Sequence, residues 1–128
     1  MSTLKADTVQ STSGGAVTLT KQQASKAWIN QDGTATDAAD RDSFNISGVT
    51  DTGSGNYTNA FSNNMSSTNW TSQISANNGT TDVSAAHDYG FAVVDRATSS
   101  YRIDIENASN SNTDLSLVDT VVHGALAG

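Results

Sequence analysis

The chain contains no cysteine and no proline. Without thiols it can form no disulfide, no zinc–thiolate centre and no cysteine nucleophile, so its stability has to come from packing. Cations are scarce as well: six Lys and Arg stand against thirteen Asp and Glu, a formal charge of -7, and Glu106 is the only glutamate. So few basic groups cannot neutralise a run of phosphates, which argues against a nucleic-acid partner. No stretch of eighteen apolar residues is present, so no membrane-spanning helix is expected. Met1 to Gly15 lacks the basic start, apolar centre and cleavage-like end of a signal peptide. The expectation is a protein made in the cytoplasm, neither secreted by the general route nor membrane-spanning.

Aromatic residues are few, with three Phe, three Tyr and two Trp, and hydrophobic residues make up only 35% of the 128 positions. A chain of this length fits one domain that buries roughly two thirds of its unfolded surface. Its core must be thin. What the chain does have is Ser, Thr, Asn, Asp and ten Gly. These residues compete with helix and favour turns, so many loops and little helix are expected.

Apolar residues recur at period two. Val17 and Leu19 share a face, and Lys26 to Asn30 reads as a strand with Trp28 and Asn30 on one face and Ala27 and Ile29 on the other. Asp32-Gly33 supplies a tight turn, and Thr34 to Asp42 reads as a polar, acidic loop. From Ser43 to Thr50, Phe44 and Ile46 are in phase and Val49 is not, so a bulge is expected at Gly48. The Asp51–Gly55 turn then closes a hairpin with Asn56 to Phe61, placing Tyr57 and Phe61 on one face. Trp70 and Ile74 mark a further strand. Tyr89 to Asp95 is apolar on both faces, which predicts the centre of a sheet. Tyr101, Ile103 and Ile105 alternate with Arg102, Asp104 and Glu106, and Asp114 to His123 forms the last strand.

Strands at this spacing predict an all-β fold, an antiparallel β-sandwich of small jelly-roll-like or Greek-key type. Residues 1–20 are expected to be an extended N-terminal docking segment and 21–128 the sandwich domain. Phe44, Phe61, Trp70, Phe91, Ile103 and Leu117 are the expected core. Leu4, Val9, Val17 and Leu19 lie on extended chain with little neighbouring sequence to bury them, and are the expected assembly and docking residues.

Chemistry-bearing residues are sparse and do not form motifs. His87 and His123 accompany no nucleophile elbow, HExxH or phosphate loop, so no catalytic residue, cofactor or metal site is expected. Asp51 to Asn56 starts like a calcium loop, but the twelfth position is Ser62 where a bidentate glutamate is needed. Asp32, Asp37, Asp40 and Asp42 could hold a cation, although a solvated loop accounts for them more simply. The sequons at Asn45, Asn56, Asn64, Asn69, Asn78 and Asn107 follow from the Ser/Thr-rich composition. Trp28 and Trp70 fall in strand phase and read as core, which leaves Tyr89 as the candidate surface ring for a sugar.

The stretches Lys26–Asn30 (KAWIN), Ser43–Gly48 (SFNISG) and His123's VHGALA occur in an order and at spacings that resemble small virion proteins of tailed bacteriophages of aquatic bacteria, described as tail-fibre or fibre-like proteins. The resemblance covers both ends and most of the first sixty residues. It implies a non-enzymatic structural protein on the virion exterior, a short fibre-like knob that forms a homotrimer and docks on tail or major capsid protein, with a host-surface glycan as a further partner. A capsid decoration protein clamping neighbouring shell subunits is the close alternative, and a carbohydrate-binding module is an alternative of another class.

Overall fold

A computed structural model describes residues 24–36, 38–79 and 89–128. The eight strands are β1 (Ala27–Asp32), β2 (Ala39–Phe44), β3 (Ile46–Gly53), β4 (Asn56–Phe61), β5 (Thr71–Asn77), β6 (Tyr89–Val94), β7 (Ser100–Asn107) and β8 (Leu117–His123). They form two four-stranded sheets, sheet A in the order β2-β1-β8-β5 and sheet B in the order β3-β4-β7-β6. Every pairing is antiparallel. The expected antiparallel sandwich is therefore the observed fold, and no helix occurs among the described residues. The N-terminal segment with Leu4, Val9, Val17 and Leu19 lies outside the described residues.

Alternation decides what each strand buries. On β4 it is Tyr57, Asn59 and Phe61, on β7 Tyr101, Ile103 and Ile105, and on β8 Val118, Thr120 and Val122. One end of the core is an aromatic trio. The rings of Phe61, Trp70 and Tyr101 stand 5.4 to 5.9 Å apart, two of the three pairs edge-on, the arrangement the ring quadrupoles favour. Trp70 also donates its indole N–H to Ala97 O at 3.1 Å and carries the Arg96 guanidinium over its face at 5.1 Å.

The core is polar in places. Asn59 Nδ2 donates to Tyr101 Oη at 3.2 Å, while the enclosed Gln31 amide has no hydrogen-bond partner among the described residues. An enclosed group left unpartnered costs about 1–3 kcal/mol, so the core is not built for maximum stability.

Several expectations about strand positions need correction. Ser43 to Thr50 is not one strand, because Asn45 takes a left-handed φ of 57° and carries the chain from sheet A to sheet B. Its amide holds the crossover by donating to Lys26 O at 2.9 Å and accepting from Asn63 N at 2.7 Å. Phe44 is consequently on the outer side of sheet A, 50% exposed, while Ile46 packs against the core. The acidic loop is also shorter than expected, since Asp40 and Asp42 lie on edge strand β2. Tyr89–Val94 ends its sheet among the described residues and is not a central strand there, and Phe91 is 38% exposed. Leu117 is only half-buried, at the start of β8. The bulge at Gly48 is present as a register shift between Ile46 and Gly48.

The stretches KAWIN, SFNISG and VHGALA occupy architectural positions. KAWIN leads into and forms β1, SFNISG contains the Asn45 crossover, and the end of VHGALA is clamped to residues 64–66. The clamp consists of Ser66 N donating to Ala125 O and Ala127 N donating to Asn64 O, both at 2.8 Å, around a bridge between Met65 and Leu126.

Candidate functional site

Three of the acidic groups singled out in the sequence, Asp32, Asp40 and Asp51, are engaged in local structure. Asp32 accepts from Thr34 Oγ1 at 2.7 Å and Thr34 N at 3.0 Å, and pairs with Arg41 at 2.6 Å. The Thr34 bonds, with Arg41 adding to them, hold the Asp32 carboxyl below its ordinary value. Asp40 accepts from Ser43 Oγ at 2.6 Å. Asp51 caps the hairpin turn by accepting from Gly53 N at 2.9 Å. Asp37 and His87 lie outside the described residues. Among the described residues no three His, Cys, Asp or Glu side chains converge to hold a metal ion.

A second polar constellation closes the β3–β4 turn. Asp114 Oδ1 accepts from Gly55 N at 2.7 Å and from the Tyr57 hydroxyl at 2.8 Å, with Gly33 O 3.2 Å from the same hydroxyl. Burial, then the bond to Asp114, raises the Tyr57 phenol far above its ordinary value. This phenol is a stable donor, and its role is to tie three loops together.

The surfaces are more informative. Strand β6 ends sheet B among the described residues, so its main-chain donors and acceptors facing away from β7 meet no further strand there. Gly90, Phe91 and Ala92 are exposed on it. On the outward face, Gly90 pairs with Glu106 and Ala92 with Asp104. These small residues leave a shallow hollow of about 290 Å³ lined by Gly90, Phe91, Ala92, Asp104 and Glu106. Sequence reading found the apolar character of this strand but not its position, because pairing order is set by contacts remote in sequence.

The aromatic assignments divide. Trp70 is core, 3% exposed, as expected. Trp28 is not: Ala27, Ile29 and Gln31 are the buried residues of β1, and Trp28 lies half-buried on the outward face. Tyr89, the expected surface ring, is half-buried and packs against the core. The signal for Trp28 was already in the alternation, which separates the two faces of β1 without saying which one meets the other sheet.

Comparisons of this chain with protein-family models, with curated proteins and with solved structures find no match.

Proposed function

We propose that this chain is a non-enzymatic structural protein on the exterior of a phage virion, a short fibre-like knob that assembles as a homotrimer and docks on other virion subunits. The observation that supports assembly is the character of β6. A strand apolar on both faces is the pattern of a sheet interior, yet among the described residues β6 ends its sheet, with Phe91 38% exposed. Natural sheets protect such edges with charge, proline or a covering element, and Tyr89–Val94 carries neither charge nor proline. A neighbouring subunit supplies the cover that no described residue gives. Around a threefold axis the contact is heterologous and closes into a ring, leaving no copy of β6 uncovered. The virion setting rests on the KAWIN, SFNISG and VHGALA resemblance, and the thin core favours an assembled form.

Size-exclusion chromatography with light scattering tests the assembly. The expected mass is that of three subunits, with Phe91→Asp and Ala92→Lys shifted to monomer at unchanged circular dichroism. A wild-type monomer at micromolar concentration refutes the trimer. Labelling of purified particles with an antibody tests the location. A few sites at the tail support the fibre-like role, whereas hundreds over the shell would replace it with capsid decoration.

A further inference from the structure

The outward face of sheet A carries a row of side chains that no core contact explains. The pairing register sets Gln73, Val121, Trp28 and Phe44 side by side across β5, β8, β1 and β2. The next row on the same face is Ser75, Asp119, Asn30 and Asp42. At a strand spacing of about 4.8 Å, Phe44 and Val121 lie roughly 10 Å apart with Trp28 between them. Phe44 is 50% exposed, and the Trp28 indole N–H has no acceptor among the described residues. In the polar row, Asn30 Nδ2 donates to Asp119 Oδ1 at 2.5 Å, which fixes both side chains and leaves Asp119 Oδ2 and Asn30 Oδ1 pointing to no protein donor among the described residues.

We infer that this face binds a neutral polysaccharide. Pyranose rings present apolar C–H faces and rims of hydroxyls, and the two rows offer the matching surfaces: aromatic rings to stack on, and beside them carboxylate, amide and indole groups for hydroxyls. The charge of the face selects against anions. Asp42 and Asp119 stand in the polar row, His123 follows Val121 on the same face, and the neighbouring cation Arg41 is turned to Asp32 and Ser116 O. Nucleic acid and acidic glycans are therefore repelled. A protein partner fits less well, because the apolar band is only three side chains wide, whereas a stable protein interface engages about 20–30 residues a side. The face is flat, with its groups set in rows across four strands, which suits a polymer and not a single enclosed sugar.

The site is on the opposite sheet from β6 and stands whether or not the trimer does. Affinity electrophoresis of the full chain in native gels containing dextran, laminarin, hydroxyethylcellulose or galactomannan tests it, with alginate as the anionic comparison. Retardation by at least one neutral polymer is expected, with none by alginate. Trp28→Ala should weaken that binding about tenfold, the order of one ring stacked on an aromatic side chain. Phe44→Ala should weaken it by less and Phe44→Tyr should retain it, all at unchanged circular dichroism. Failure of every neutral polymer to retard the protein, binding by Trp28→Ala equal to wild type, or preference for alginate would overturn the inference. So would a change in the number of subunits per assembly in Trp28→Ala, which would make the face a protein interface.

Discussion

Replacing Phe61 by alanine removes the ring that touches both other members of the aromatic trio. Phe61 is 5% exposed, with Trp70 5.9 Å and Tyr101 5.4 Å away, centroid to centroid. A buried Phe→Ala change costs about 3–5 kcal/mol, including the cavity left behind. Collapse into that cavity is resisted on both sides. Trp70 is anchored by its bond to Ala97 O and Tyr101 by Asn59, so the upper half of that range is expected. Near 60 °C a chain of this length unfolds with an entropy of about 0.27 kcal/mol/K, so the melting temperature should fall by roughly 10–20 °C. Phe44→Ala is the internal comparison. That ring is 50% exposed on the outer face, and its loss should cost no more than about 0.5 kcal/mol, some 2 °C. Urea denaturation followed by fluorescence gives both values, provided the m-value is unchanged. A Phe44→Ala loss equal to that of Phe61→Ala would show that sheet A packs with its other face inward, which refutes the outward position of Phe44.

Gly33→Ala should destabilise by several kcal/mol although its backbone is unstrained, because an added Cβ would sit 2.3 Å from the Tyr57 hydroxyl and 2.8 Å from Leu115 O; thermal melting near that of wild type would contradict the packing. Gly55→Ala combines a left-handed φ of 68° with a Cβ placed 2.4 Å from Ile105 O, and should fold poorly or not at all, as soluble yield will show. Tyr57→Phe deletes the hydroxyl donated to Asp114 and should cost about 1.5–3 kcal/mol by denaturant titration, the range for a bond to a charged acceptor. Burial raises the phenols of Tyr57 and Tyr101 above their ordinary value of about 10. The folded state thus holds these protons more tightly than the unfolded chain, and their contribution is complete below pH 10 and lost as the pH climbs towards the folded values. Stability should fall on the alkaline side, with phenolate absorbance of these two residues rising only as the protein unfolds. Their free titration near pH 10 in the folded protein would refute the burial.

Local pattern was enough to reveal the strands themselves. The alternation of Tyr101, Ile103 and Ile105, the Tyr57 and Phe61 pair, the β3–β4 hairpin, whose turn is the shorter Ser54–Gly55, and the bulge at Gly48 each depend on side chains a few residues apart. Period two is a property of the extended backbone and survives whatever the strand later meets. The Asp32-Gly33 turn is a local signal, but the structural demand on Gly33 is the ring of Tyr57, twenty-four positions on. Which face of a strand turns inward, and which strand ends a sheet, depend on pairings such as Tyr57 with Ile103 and Ala27 with Val122, separated by dozens of residues. Those pairings put Gln31 inside and Trp28 outside on the same strand, and left the apolar β6 at an edge. The left-handed turn at Asn45 then separated Phe44 from the core that its phase with Ile46 had predicted. The surfaces proposed to bind and assemble were therefore decided by tertiary structure, because a surface consists of what the core did not take, and only the completed set of long-range pairings says which residues those are.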